Sequence, residues 1–426
     1  MSFHLLLPSS IDSNPHEPRR ALAMAPPPDR LSALPDDVLA HVLSFLPTPV
    51  SAATSVLSRR YRHLWASVPD LNLDHTLHRS IASFESSADA AFRRRDPSVP
   101  LRSLRLSADE RTRAPPRWLL RAARLGVRRL ALTGHACACF VALAPELDLA
   151  GLRSLNLRYL SRRQGDKYPL VPEGIRLPAL ESMELVQVDL GAGEVTQLVA
   201  ACDALCSLDV RPLATLEVLD LRSPTLRRLR ISCLFSAPHH TELSLECASL
   251  EFLVLEHSGN LQAFRALPMP ELRTAAVTMD LLTAGDMEAT SVLIRSVASV
   301  QELRLHLTES KFQVEPFPLL AEHDQPFPSF PNLKTLELSM CFHEYNIPGL
   351  ITMLQQSPVL QSIKLTHLAP RMLAKTKKRR QWASKLPRNS SGNYQFASLK
   401  NFQAEEGNKL LYQLSRRLKS KAIRSS

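Results

Sequence analysis

Apolar positions recur along most of the chain in a six-residue signature, with leucine or an equivalent at the first, fourth and sixth places. The copies are Leu101-Leu104-Leu106, Val127-Leu130-Leu132, Leu152-Leu155-Leu157, Leu180-Met183-Leu185, Leu205-Leu208-Val210 and Leu226-Leu229-Ile231. They continue as Leu250-Leu253-Leu255, Leu272-Ala275-Val277, Val300-Leu303-Leu305, Leu333-Leu336-Leu338 and Leu360-Ile363-Leu365. Successive first residues lie 26, 25, 28, 25, 21, 24, 22, 28, 33 and 27 apart, a rhythm that chance does not keep. The last two apolar residues of each copy share one face of a short strand, and the first enters the core from the preceding turn. A single strand cannot bury such a face, whereas a parallel stack of them can. The segments between strands read as helices. Val195, Leu198, Val199 and Cys202 lie at i, i+3, i+4 and i+7, and Ile347, Leu350, Ile351 and Leu354 repeat that spacing. The pattern predicts an α/β solenoid over residues 98–370, an ordinary leucine-rich α/β domain being the alternative. LEVLDL at 216–221 falls out of step, only ten residues before the next copy, and leaves the repeat count open.

A different pattern occupies residues 31–47, LSALPDDVLAHVLSFLP. Pro35 and Pro47 bracket a helix of about three turns that starts at Asp36 or Asp37, acids suited to a helix N-terminus. Val38, Val42 and Phe45 form one apolar stripe and Leu39, Leu43 and Leu46 a second beside it, an arc of about 160°. Residues 49–65 predict two more short helices broken near Ser58, with Val50, Val56, Leu57, Tyr61, Leu64 and Trp65 as candidate buried residues. A unit of about 40 residues is at the lower limit for a self-sufficient core without disulfides or metal, and no cysteine precedes Cys137. Either the helices pack on the rest of the chain, or one apolar face is kept for a partner.

Here the residues resemble a known family. Leu34-Pro35-Asp36-Asp37-Val38-Leu39, Val42-Leu43-Ser44-Phe45-Leu46-Pro47, Ser55-Val56-Leu57-Ser58-Arg59-Arg60-Tyr61-Arg62 and Leu64-Trp65 are similar to the F-box, without a gap. Tyr61 stands where tryptophan is commoner. The downstream copies resemble the leucine-rich repeats of plant F-box proteins, although the asparagine or cysteine usual three places after the last leucine is missing from most units; Cys341 is an exception. The resemblance implies a small N-terminal three-helix F-box at 29–69, followed by a curved leucine-rich-repeat solenoid with a parallel strand ladder at 98–370. Residues 1–28 are expected to be disordered, 70–97 to be a linker, and 371–426 to form a basic C-terminal region. Leu410, Leu411, Leu414 and Leu418 there have the spacing of a capping helix. The C-terminal extension common in plant relatives is not recognisable. Met24 stands as close to the F-box as many chains of this family begin, and is an expected alternative start; peptides abundant from residues 2–20 would exclude it.

Composition narrows the chemistry. No apolar run approaches 18 residues, so no membrane span is expected. The first residues, MSFHLLLPSS, read as neither a signal nor a transit peptide. Seven scattered cysteines read as buried free thiols in a reducing compartment rather than a zinc set. The net charge of +11 resides in residues 371–426, which hold 15 Lys plus Arg against 2 Asp plus Glu. The rest is balanced on average, so a nucleic-acid partner is not expected. No G-x-S-x-G, glycine-rich phosphate loop or H-E-x-x-H occurs. Asp74, His75 and His78 lack a further ligand nearby, and neither a metal nor a cofactor is expected.

The resemblance therefore implies a non-catalytic substrate receptor. Its F-box would dock on a Skp-type adaptor and through it a cullin, and its repeats would hold an unidentified target protein for ubiquitination. A non-ligase scaffold that binds or sequesters the adaptor is the alternative. The residues expected at the adaptor contact are Leu34, Pro35, Val38, Leu39, Val42, Leu43, Leu46 and Pro47. Lys375, Lys377, Lys378, Arg379 and Arg380, in KTKKRR, are a candidate nuclear-targeting run, and the expected location is nucleus, cytoplasm or both.

Overall fold

The computed structural model describes residues 31, 33–160, 171, 174–212, 216–233, 241–257, 261–281, 284–309, 326–340, 346–367 and 394–396. The N-terminal segment 1–28, Cys341, the basic run from Lys375 to Arg380 and the candidate capping helix lie outside them.

All eleven copies of the leucine signature are strands of one sheet. They are β2 (Ser103–Ala108), β3 (Arg129–Gly134), β4 (Ser154–Leu160), β5 (Ser182–Val188), β6 (Ser207–Pro212), β8 (Arg228–Cys233), β10 (Phe252–His257), β12 (Thr274–Leu281), β13 (Glu302–Glu309), β14 (Thr335–Met340) and β15 (Ser362–His367). They stack in sequence order, and the signature leucines pair in register, as in Leu104↔Leu130↔Leu155↔Met183↔Leu208. All the signature residues except Leu360, which is partly buried against them, are buried in one continuous core under the sheet. Each rung is prolonged by a backbone bond before the strand: Arg128 N–H donates to Arg102 O (3.1 Å) and Arg153 N–H to Arg128 O (2.8 Å), a pattern kept as far as Gln361 N–H on Lys334 O (2.9 Å).

The ladder begins earlier than the expected residue 98. Residues 70–97 are not a linker: β1 (Asp70–Asp74) pairs in parallel with β2, and α4 (Ile81–Arg94) buries Phe84, Ala88, Ala91 and Phe92 in the common core. β1 carries the signature itself, as Val68-Leu71-Leu73, 33 residues before the next copy, but Val68 is buried with the N-terminal helices, so this copy overlaps the end of the helical unit. At the far end β15 takes an antiparallel partner, β16 (Tyr394–Phe396).

The returning layer is also less uniform than predicted. Helices α5 (Pro115–Arg124), α6 (His135–Leu143), α7 (Ala192–Ala200), α8 (Ala284–Ser296) and α9 (Asn346–Gln355) return to the next strand. Val195, Leu198, Val199 and Cys202 are buried as their spacing requires, as are Leu350 and Leu354. Between β6 and β12, however, the return is made by strands. β7 (Val218–Arg222), β9 (Thr241–Glu246) and β11 (Leu261–Ala266) form a second parallel sheet of three. The out-of-step LEVLDL is β7, and Leu219 and Leu221 face the core across from the main ladder.

Gly134 shows how closely the layers meet. Its φ is +66°, and a Cβ there would stand 2.8 Å from the Ala108 carbonyl oxygen, so the turn from β3 into α6 needs glycine.

Among the described residues of the main sheet, Arg230 Nε and both ring nitrogens of His257 are buried without a hydrogen-bond partner. His257, at the end of β10, points inward between Cys233 and Met279 on the flanking strands, and neither ring nitrogen has a partner. Burial lowers its pKa from the ordinary 6.5, opposed by the Asp286 carboxylate. The unfolded chain then binds the proton more readily, so the neutral ring's stability is complete above about pH 6.5 and is lost as pH falls toward the folded value. His257→Leu should therefore flatten the melting temperature between pH 7.5 and 5.5 relative to wild type. The difference amounts to at most about 1.4 kcal/mol per pH unit, and equal pH slopes would show that this ring does not contribute.

Candidate adaptor-docking site

The N-terminal unit consists of α1 (Asp36–Ser44), α2 (Thr48–Ala53) and α3 (Tyr61–Leu64), with short 3-10 turns after α2 and α3. Its own core is small: Leu39, Leu43, Tyr61, Leu64 and Val68, with Leu34, Leu46 and Trp65 packed against it. The break near Ser58 is as expected. A bond from the Arg60 Nε to Asp36 Oδ1 (2.7 Å), and another from the same guanidinium to the Leu34 carbonyl, tie the start of α3 to the segment that leads into α1.

The two stripes of α1 thus have different fates. Leu39 and Leu43 are 1% and 4% exposed and belong to the internal core, so they are not available at the surface. Leu34 and Leu46 are half-buried against that core, and Pro35 is exposed. Val38, Val42 and Phe45 face outward, at 38%, 43% and 73% exposure. Pro47, half-buried, precedes α2. The surface continues in a way the sequence did not suggest: Val50, Val56 and Leu57, expected inside, are exposed. A helix of six residues followed by a single turn is too short to bury a second face, and that shortness is the signal that could have found them.

Among the described residues fourteen large hydrophobic side chains are exposed, and seven of them lie in residues 31–57. Scattered apolar residues are ordinary on a protein surface, but concentration in so short a segment marks a site for a protein partner.

Among the described residues no side-chain grouping of comparable weight points to chemistry. Ser107 Oγ lies 3.2 Å from His75 Nδ1, but Asp74 Oδ1 faces the same nitrogen at 3.8 Å, whereas a relay needs the two on opposite ring nitrogens. His75 and His78 instead pack on the ring of Phe84. Among the described residues no three His, Cys, Asp or Glu side chains are grouped to hold a metal. Burial pushes the thiols of Cys137, Cys202 and Cys233 up to about 12, which makes them poor nucleophiles. No helix among the described residues is long and apolar enough to cross a membrane.

Comparison with known proteins agrees with this architecture. Residues 31–72 match the F-box domain, and residues 116–274 match the family described as FBD-associated F-box protein At5g56370, LRR repeats. Together, an F-box and a leucine-rich-repeat solenoid define an F-box protein whose repeats follow directly. Over both parts the chain is similar to plant F-box/LRR-repeat proteins. An Arabidopsis thaliana protein named as an FBD-associated F-box protein, At5g56560, is 28% identical over 365 residues, covering 79% of this chain and 77% of that one. The F-box/LRR-repeat protein At3g59190 of the same plant is 29% identical over 245 residues, 53% of this chain and 61% of that one. At4g14103, with the same description and source, is 30% identical over 220 residues, 48% and 55% of the two chains. F-box/LRR proteins are in general non-catalytic substrate adaptors, and an F-box implies a Skp-type partner.

Proposed function

We propose that this chain is the substrate-recognition subunit of a Skp-cullin-F-box ubiquitin ligase. The observation that carries the reading is the outward stripe of Val38, Val42 and Phe45, with Val50, Val56 and Leu57 exposed in the same unit. Desolvating these side chains against an apolar adaptor groove provides the attachment. The repeats present the other face of the main sheet to a target protein. There the polar positions between signature leucines form mixed rows, such as Glu184, paired with Arg158 at 2.7 Å, and Glu256, paired with Arg230 at 2.9 Å. The mechanism is proximity. The chain breaks no bond; it raises the effective concentration of a target lysine near a ubiquitin-charged enzyme recruited through the cullin.

Affinity purification of the tagged chain tests this against a scaffold that only holds the adaptor. A ligase receptor brings down cullin with the adaptor, and proteins enriched only under proteasome inhibition are its targets. Adaptor without cullin would favour the scaffold. The basic run at 375–380 is proposed to direct the chain to the nucleus; deleting it should lower nuclear accumulation, and an unchanged distribution would leave it as solvated surface.

A further inference from the structure

Charge averaged over the repeats hides a local excess. Residues 93–129 hold twelve arginines, no lysine and three acidic residues. All of those arginines but Arg95 are exposed. The fold gathers several of them on one edge. Helices α4 and α5 lie side by side with matched turns: Glu85 accepts from the backbone N–H of Arg113 (2.8 Å), Asp89 from Trp118 Nε1 (2.8 Å), and the Arg121 guanidinium lies 5.7 Å from the centre of the Phe92 ring. This alignment brings the C-terminal ends of both helices together, where Arg93, Arg94 and Arg124 are exposed with no acidic partner among the described residues.

At that same edge the chain passes from each helix into its next strand. Arg102, Arg128 and Arg153 occupy one position on three successive rungs, joined by the backbone bonds Arg128 N–H to Arg102 O and Arg153 N–H to Arg128 O. Adjacent rungs are about 4.8 Å apart, where like charges repel. Asp70 holds Arg102 and Glu181 holds Arg153 at 3.0 Å, but Arg128 has no acidic partner among the described residues. A helix dipole accounts for arginine in a last turn. It does not account for a bare arginine between two others on the rungs.

We propose that this edge of the first two repeats binds an acidic segment of another polypeptide. Guanidinium forks match carboxylates in two-point geometry, which suits a patch built without lysine. Single-stranded nucleic acid also needs aromatic faces on which bases stack, and the rings of this region, Phe84, Phe92 and Trp118, are fully buried. The surface is separate from the apolar stripe of the F-box, so it stands whether or not a ligase forms.

The test measures binding of a fluorescent oligo-glutamate peptide to the full chain over a range of salt concentrations, with oligo-glutamine and duplex DNA as competitors. Replacing Arg94, Arg124 and Arg128 with serine should weaken the peptide by about tenfold or more and flatten its salt dependence. Lysine at the same positions should restore part of the binding and the salt dependence, which separates lost charge from lost folding. Lys377→Ser with Lys378→Ser, in the basic tail, should bind as wild type. Unchanged affinity in the serine variant, loss only in the tail variant, no peptide binding, or tighter binding of DNA would each overturn the proposal.

Discussion

Replacing Val42 and Phe45 with aspartate should abolish capture of a Skp-type adaptor and leave the melt of the full chain where it was. Both side chains stand outside the core of the F-box, at 43% and 73% exposure, so a charge there costs the folded chain little. In a docked complex the same charges would be stripped of water without a partner. Loss of a central apolar anchor costs on the order of 2–4 kcal/mol, or roughly 30- to 1000-fold in affinity, and a buried charge adds to it. Leu39→Ala is the informative contrast. Leu39 is 1% exposed within the helical core, so its truncation should lower the melt by a cavity cost of about 2–5 kcal/mol and weaken the adaptor only through unfolding. Pull-down and melt belong on the same samples. Adaptor retained by the double aspartate variant would place the contact elsewhere on the chain.

The largest expected loss of stability comes from Trp118→Ala. The indole is 1% exposed, meets the Phe84 ring edge-on at 5.4 Å, and donates its N–H to Asp89 at 2.8 Å. Its removal leaves a cavity between α4 and α5 and deprives a carboxylate of a donor. The expected cost is about 3–5 kcal/mol, concentrated in the first repeats because a solenoid's units are coupled mainly to their neighbours. Proteolysis should then open the chain near residues 81–124 before the later repeats, and Trp118→Phe should restore most of the resistance. A denaturation midpoint unmoved by the alanine variant would mean that this helix pair lies outside the cooperative unit.

The main ladder was legible because leucine placement there is nearly free of competing demands. Each signature residue has one role, burial beneath a strand, and the eleven copies kept their register. Reading failed where one residue serves two units or one alternation fits two places. Val68-Leu71-Leu73 keeps the signature's spacing, but it follows directly on the helical unit whose core holds Val68, and so was counted with that unit. Alternation such as that of β7 and β9 reads alike on either side of a solenoid, so the second sheet was seen only as an extra copy. In α1 the sequence fixes an apolar arc but not which half faces inward; that depends on Tyr61, Leu64 and Val68 closing over Leu39 and Leu43. The arginine edge was missed for a different reason, because a balance taken over hundreds of residues cancels a patch that the fold concentrates.

The join between the F-box and the repeats has a mechanical consequence. Asn72 N–H of β1 donates to Thr48 Oγ1 of α2 (2.8 Å), and Asp96 N–H after α4 donates to the Ala66 carbonyl (2.9 Å), so the two parts are pinned on both sides of the first repeat. With no slack segment at that joint, position along the solenoid becomes a measure of distance from the F-box. Each rung adds about 4.8 Å, so moving a bound target by one repeat shifts its lysines by about that amount relative to whatever the F-box holds. A stack of repeats attached in this way acts as a ruler, and inserting or deleting one unit between β1 and the target's binding rung would change which lysine comes within reach.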